Sequence, residues 1–157
     1  MKVYLVHHAA ALSKEQDPER HLSPLGREQA DRLGARFREI GVTPLRILHS
    51  EKQWTRETAE RIAARLGAED RAVPAGYPIN TDGPLEPFLA EIDKADGDLM
   101  MCGHVHYLRR AASRLVCGDE TARVFEFKPG NGTAVCLDDA DGGWVITFAW
   151  RPDHPAG

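Results

Sequence analysis

The sequence has little of what marks exported, membrane-bound or nucleic-acid-binding chains. It has only three cysteines, without Cys-x-x-Cys spacing, so we expect neither a disulfide framework nor a cysteine zinc knuckle. Lys and Arg number 20 against 24 Asp and Glu, and this net charge of -4 argues against binding to a phosphate backbone. No apolar run has the length of a membrane span or the character of a signal peptide. We therefore expect a cytoplasmic protein with no nucleic-acid and no membrane partner.

The composition that is present is that of an ordinary globular domain. Apolar residues make up 42% of the chain and charged residues 28%. A chain of 157 residues can bury one core and is short for two, so we predict a single domain over residues 1–157.

Short apolar runs alternate with amphipathic stretches along the chain. The runs predict strands over residues 2–6, 46–49, 98–102, 123–127, 133–137 and 144–150. The amphipathic stretches predict helices over residues 24–40, after a cap at Ser50, over 84–93 and over 110–116. Residues 68–83 are expected to form a loop, and residues 129–132 a turn. This order predicts an α/β fold with antiparallel strands completing the sheet at its C-terminal end.

Six of the seven histidines follow predicted strands or lie in the loops beside them. These six are His7, His8, His21, His49, His104 and His106. In open α/β sheets, ligands bind in the crevice at the carboxyl ends of the strands. The distribution therefore predicts a histidine-rich pocket at that edge.

Four segments resemble the histidine phosphatase superfamily. Residues 2–9 are similar to the strand that ends in the family's Arg-His-Gly motif, and residues 21–30 to its Pro-Leu-Ser/Thr-x-x-Gly-x-x-Gln-Ala segment. Residues 50–60 resemble Ser-Pro-x-x-Arg-Ala-x-Gln-Thr-Ala-Glu, and residues 101–106 resemble Val-x-Gly-His-x-Pro. The short length and the Trp-Arg-Pro ending are similar to the SixA-type phosphohistidine phosphatases. The resemblance implies a phosphoglycerate mutase-like three-layer sandwich with a mostly parallel central sheet.

The departures from the family pattern fall on the residues that would hold phosphate. The resemblance implies that His8 is the phosphate acceptor and His104 its partner histidine. It also places His7 and Trp54 where the family has its two phosphate-binding arginines, and Arg56 points about 200° away from Trp54 on a helix. An arginine grips phosphate through two hydrogen bonds and is always charged, which imidazole and indole cannot copy. Losing both would slow phosphoryl transfer about 10⁴-fold.

These replacements favour a metal-binding function over a standard phosphatase. Neutral imidazole is the commonest protein ligand for transition metals, and three such ligands with an open position describe a catalytic centre. We expect a transition-metal enzyme that holds zinc, copper or iron through His7, His8, His104 and His106. Around this site the sequence places five further pocket residues, namely His21, His49, Trp54 and, as carboxylates that could donate a proton or orient a ligand, Asp82 and Glu86.

Two alternatives stay open. The first is a SixA-like phosphohistidine phosphatase, in which His8 accepts the phosphoryl group, His104 assists and His7 supplies positive charge. The second is a non-catalytic module that kept the fold and binds a ligand or partner in the cleft. For an enzyme, we expect a small-molecule or phosphorylated substrate. Fold alone cannot choose among these functions.

Overall fold

The computed structural model describes residues 1–127 and 131–152, which form a six-stranded sheet with helices on both faces. The strands are β1 (Lys2–His7), β2 (Arg46–His49), β3 (Ala72–Pro74), β4 (Leu99–Gly103), β5 (Ala134–Ala140) and β6 (Gly143–Trp150). The helices are α1 (Pro24–Glu39), α2 (Gln53–Leu66), α3 (Glu86–Lys94) and α4 (Val105–Cys117), with a 3₁₀ turn at Glu69–Arg71. In this part of the chain no helix is long and apolar enough to cross a membrane.

The strand order places the ends of β1, β2 and β4 at one edge of the sheet. The order is β3-β2-β4-β1-β5-β6, in which the first four strands are parallel and β5 and β6 are antiparallel. His7 lies opposite Gly103, and His49 lies opposite Cys102. Parallel strands end at the same edge, so the residues that follow β1, β2 and β4 meet there. The predicted α/β fold, with a mostly parallel sheet completed by antiparallel C-terminal strands, is confirmed.

The sheet separates two apolar layers, because successive side chains of a strand point to opposite faces. In β1, Val3 and Leu5 pack on the side of α3 and α4, whereas Tyr4 and Val6 pack on the side of α1 and α2. Burial on both faces explains why β1 and β4 are apolar runs rather than alternating ones. A rigid central pair of strands thus carries the histidines that follow it.

Several element boundaries differ from the prediction. Residues 72–74 form β3 by pairing with β2, although the sequence indicates a loop there. Residues 123–127 form no strand, although their apolar side chains pack on the core as the pattern predicts. Helix α2 begins three residues after Ser50, with Lys52 as its N-cap, so the predicted cap at Ser50 is wrong. The predicted turn over residues 129–132 lies partly outside the described residues.

Candidate active site

Three imidazoles lie together at the carboxyl ends of β1 and β4. The ring centroids of His7 and His8 are 4.5 Å apart, and those of His8 and His104 are 5.6 Å apart. The backbone holds this arrangement, because the N–H of His8 donates to the carbonyl of Gly103 at 3.1 Å. We refer to His7, His8 and His104 as the imidazole cluster.

The ring of His8 is held in one orientation and one tautomer. Its Nδ1 lies 2.9 Å from the carbonyl oxygen of Ala9. A carbonyl oxygen only accepts hydrogen bonds, so Nδ1 carries the proton and Nε2 keeps its lone pair. Burial, and after it the nearby charge of His7, lowers the pKa of His8 to about 3. At neutral pH the ring is therefore an uncharged base whose free nitrogen can act as a nucleophile.

The loop after His8 is fixed by residues from α1 and α2. The N–H of Ala9 donates to Oγ1 of Thr58 at 3.0 Å, and the N–H of Ala10 donates to Oε1 of Gln29 at 2.9 Å. A Cβ at Gly26 would lie 1.9 Å from the carbonyl oxygen of Ala10, so only glycine permits this approach of α1. The segments that resemble the family motifs thus hold the loop that follows His8.

His104 is the second neutral imidazole of the cluster. Its Nε2 lies 3.1 Å from Oγ of Ser50, which in turn is 2.7 Å from Oγ1 of Thr55. Burial, and after it the charges of His7 and Lys52, lowers the pKa of His104 to about 4. The side chain is therefore uncharged near pH 7 and anchored through one ring nitrogen.

Trp54 and Arg20 border the cluster. The ring of Trp54 lies 6.1 Å from that of His8 and 6.3 Å from that of His104, measured between centroids. The guanidinium carbon of Arg20 lies 4.5 Å from the centroid of Trp54, within cation–π distance. Nε of Arg20 donates to the carbonyl of Leu12 at 3.0 Å. A guanidinium from the loop between β1 and α1 thus stacks on the tryptophan that borders the cluster.

Two open cavities lie beside the cluster. One has a volume of about 560 Å³ and is lined by charged side chains of both signs and by one indole. These lining residues are Lys14, Glu19, Arg20, Glu51, Lys52 and Trp54. The other, of about 410 Å³, has a largely uncharged lining that includes His49, Ser50, Tyr77, Ile79, Asn80 and His104. The first can take an anionic group, and the second can take an organic one.

The structure brings together only some of the residues that the sequence places in the pocket. His7, His8, His104 and Trp54 form its centre, and His49 lines the uncharged cavity. Nδ1 of His49 donates to the carbonyl of the following residue at 2.8 Å, which is the orientation that His8 also has.

Four predicted pocket residues lie elsewhere. Nδ1 of His21 is 2.6 Å from Oδ2 of Asp17, and this carboxylate raises the pKa of His21. His106 is exposed on α4, with its ring 3.4 Å from a guanidinium nitrogen of Arg109. The carboxylates predicted as proton donors, Asp82 and Glu86, are exposed, and of the residues described neither lines the two cavities beside the cluster.

The predicted metal site receives no support from this geometry. Among residues 1–127 and 131–152, no group of three or more His, Cys, Asp or Glu side chains is arranged to hold a metal ion. One expected ligand, His106, lies apart on the helix surface. In addition, Nδ1 of His8 is already engaged by the carbonyl of Ala9.

Sequence reasoning missed three residues of the site. Arg20 contacts Trp54, Ser50 contacts His104, and Thr58 holds the loop after His8. Ser50 and Thr58 lie inside a segment that resembles a family motif, which is a signal for their roles. Arg20 has no such signal, because its contact with Trp54 joins two segments that are distant in sequence.

Comparison with known proteins confirms the resemblance seen in the motifs. Residues 3–75 match the model of the histidine phosphatase superfamily, branch 1. Over 119 residues the chain is 29% identical to the mitochondrial serine/threonine-protein phosphatase PGAM5 of Mus musculus. The match covers 71% of this chain and 41% of PGAM5, so the chain spans less than half the length of that relative.

Solved structures show the same fold along nearly the whole chain. The protein histidine phosphatase SixA in complex with tungstate superposes with a TM-score of 0.79 and 16% identity, covering 97% of each chain. A phosphoglycerate mutase from Bacillus anthracis superposes with a TM-score of 0.64 and 12% identity, covering 94% of this chain and 91% of the other. The fold is therefore that of the phosphoglycerate mutase-like proteins.

Proposed function

We propose that this protein, whose residues 3–75 match the histidine phosphatase superfamily, is a phosphatase. Its substrate is phosphohistidine or a related phosphoramidate, and His8 accepts the phosphoryl group before water releases it. The observation that carries the proposal is the hydrogen bond from Nδ1 of His8 to the carbonyl of Ala9, at 2.9 Å. It leaves Nε2 with a free lone pair on a neutral ring. The neighbouring Trp54 lines a cavity whose charged residues are Lys14, Arg20 and Lys52 together with Glu19 and Glu51. Metal coordination is not needed to activate such a nitrogen.

The reaction consists of two displacements at phosphorus. In the first, Nε2 of His8 attacks a donor that is already protonated, on its nitrogen in phosphoramidate or on the other ring nitrogen in phosphohistidine. The P–N bond of the donor breaks, and neutral ammonia or imidazole leaves with that proton. In the second, water attacks the phosphorus of phosphorylated His8, and the new P–N bond breaks to give inorganic phosphate and free His8. The neutral His104, whose ring lies 5.6 Å from that of His8, can accept the proton of the attacking water.

A phosphoramidate donor suits this site better than a phosphate ester. An ester needs an acid to protonate its leaving oxygen, and the carboxylates predicted for that task, Asp82 and Glu86, are exposed and do not line either of the two cavities. In phosphohistidine the leaving group is an imidazole, which departs as a neutral ring when its other nitrogen is protonated. The reaction therefore needs no general acid from the enzyme at the leaving atom. The fold shared with the histidine phosphatase SixA and the similarity to the phosphatase PGAM5 support a phosphorylated substrate.

The test is to trap the phosphorylated enzyme and measure turnover. A phosphohistidine-bearing protein and the small donor phosphoramidate are supplied in turn, and ³¹P NMR follows enzyme-bound and inorganic phosphate. We expect phosphate on His8, release of inorganic phosphate, no effect of chelator, and loss of both signals in His8→Ala. The matched control is His106→Gln, which removes an exposed imidazole and should keep wild-type turnover. Full turnover by His8→Ala would contradict the proposal.

The metal-dependent alternative has one observation in its favour, the closeness of three imidazoles around His8. Elemental analysis of the same untagged preparation tests it. About one zinc, copper or iron atom per chain, lost in both His7→Ala and His104→Ala, would make a metal enzyme the better interpretation. Protein that neither binds metal nor transfers phosphate would instead point to the non-catalytic module.

A further inference from the structure

The site lacks the two arginines that bind the phosphoryl group in the family it resembles. By resemblance, His7 and Trp54 stand where the family has its two phosphate-binding arginines. The rings of His8 and His104 are neutral near pH 7, so they bring no positive charge. A phosphoryl group that carries two negative charges needs cations at the position where it is transferred. His7, whose charge helps to lower the pKa of both rings, is a single imidazole and does not replace two guanidinium groups, so another residue must supply a further cation.

Arg20 is placed to do so. Its guanidinium stacks on Trp54, 4.5 Å from the ring centroid, and Trp54 itself lies 6.1 Å from His8. Nε is used by the carbonyl of Leu12, which leaves the two terminal amino groups as donors. The charge of Arg20 is close enough to contribute to the lowered pKa of His8.

Arg20 differs in its partners from the arginines that form ion pairs. Arg61 and Arg65, for example, both pair with the carboxylate of Asp31, at 2.8 and 2.9 Å. In the described part of the chain no carboxylate lies within ion-pair distance of Arg20, although it is partly buried. A partly buried guanidinium on the wall of an open cavity, without an anionic partner, is suited to an anion from outside.

The backbone at Arg20 supports a specific role for its position. The residue has a φ of 57°, in the left-handed region that few residues other than glycine adopt. Such a conformation persists only where the surroundings hold it. Here the N–H of Arg20 donates to the carbonyl of Asp17 at 2.9 Å, and its side chain is held by Leu12 and Trp54.

We propose that Arg20, held by its stacking on Trp54, is the phosphoryl-binding guanidinium of this site. Trp54 replaces the missing arginine of α2 indirectly: its indole fixes a guanidinium that comes from the loop before α1. Lys52, which lines the same cavity, adds positive charge on the side of His104. This inference rests on the proposed function, since it identifies how the phosphoryl group is bound.

Binding of inorganic phosphate, measured by calorimetry at fixed ionic strength, tests the role of Arg20 without requiring turnover. We expect Arg20→Ala to weaken phosphate binding about 10- to 100-fold, because a preorganised charged donor is lost. Arg20→Lys should recover part of the affinity, since it keeps the charge but not the planar stack. Trp54→Ala should weaken binding in the wild type but have little further effect in Arg20→Ala, because it acts through Arg20.

The matched control is Arg38→Ala, which removes one exposed positive charge about 20 Å along α1 from its first residue. It should change phosphate affinity less than twofold. Equal phosphate affinity in wild type, Arg20→Ala and Arg38→Ala would overturn the assignment. If Arg20→Ala does not fold, the comparison of Arg20→Lys with Arg38→Ala decides, since an Arg20→Lys affinity equal to wild type would also overturn it.

Failure of the two proposals can be told apart. If Arg20→Ala loses phosphate binding while wild-type His8 is never phosphorylated, Arg20 stands as an anion-binding residue and the phosphatase proposal fails. If His8 is phosphorylated at the same rate and phosphate binds equally well in Arg20→Ala, the phosphatase proposal stands and the role of Arg20 fails.

Discussion

Acidification should destabilise this protein more than a variant that lacks the imidazoles of His8 and His104. In the folded state the pKa of His8 is lowered to about 3 and that of His104 to about 4, chiefly by burial. The unfolded chain takes up the same protons near the ordinary histidine pKa of about 6.5. Between these values the unfolded state binds more protons, so the free energy of unfolding falls as pH decreases from about 6.5.

The size of the effect follows from the two shifts. Each pH unit below 6.5 lowers the free energy of unfolding by about 1.4 kcal/mol per group until the folded pKa is reached. If both shifts contribute in full, the loss for the two rings at pH 5 is about 4 kcal/mol. The charge of His7 contributes to both shifts and both rings are partly exposed, so we expect about 2 to 3 kcal/mol instead. Domains of this size are stable by about 5 to 15 kcal/mol, so such a loss is measurable.

The assay is urea unfolding followed by far-ultraviolet circular dichroism at pH 6.5, 5.5 and 5.0. Carboxylates also titrate in this range, so the informative quantity is the difference between wild type and a His8→Gln/His104→Gln double variant. Glutamine does not titrate, and the double variant should lose about 2 to 3 kcal/mol less than wild type between pH 6.5 and 5. His106→Gln is the control for removing an exposed imidazole. Equal acid sensitivity of wild type and the double variant would refute the reasoning.

Further predictions concern the loop that follows His8 and, separately, the ion pair between Asp17 and His21. Gly26→Ala should lower the free energy of unfolding by about 1 to 3 kcal/mol and reduce phosphoryl transfer, because the new Cβ meets the carbonyl oxygen of Ala10. Thr58→Val should cost about 1 to 3 kcal/mol in chemical denaturation, since it leaves a buried backbone N–H without its acceptor. Asp17→Asn should lower the pKa of His21 in an NMR titration, because the carboxylate at 2.6 Å is what chiefly raises it.

Each of these variants has a control within the chain. Gly143→Ala adds a Cβ in open space and should leave stability within about 0.5 kcal/mol of wild type. Thr58→Ser keeps the hydroxyl and should recover most of the loss seen with valine. Glu19→Gln should lower the pKa of His21 less than Asp17→Asn does, since Glu19 lies at 3.4 Å rather than 2.6 Å. A Gly26→Ala protein with wild-type stability would show that α1 can move away from the loop.

The sequence by itself determined the elements whose signals are local. A continuous apolar run marks β4, and Ser23 followed by proline marks the first turn of α1, where the serine hydroxyl accepts the N–H of Gly26 at 3.0 Å. The motif segments also identified His8 and His104 as members of one site. These signals are readable because capping, hydrophobic periodicity and motif spacing each depend on a few neighbouring residues.

Only the tertiary structure decided which of the candidate residues share the site. Strand pairing between β1 and β4 sets His104 beside His8, whereas the start of α4 at Val105 leaves His106 on an exposed helix face. The stacking of Arg20 on Trp54 likewise joins a loop to a helix that are not neighbours in the chain. No local pattern encodes such contacts, because they depend on the packing of the sheet and its helices as a whole. The cations and imidazoles of the pocket are therefore present in the sequence, but their arrangement is a product of the fold.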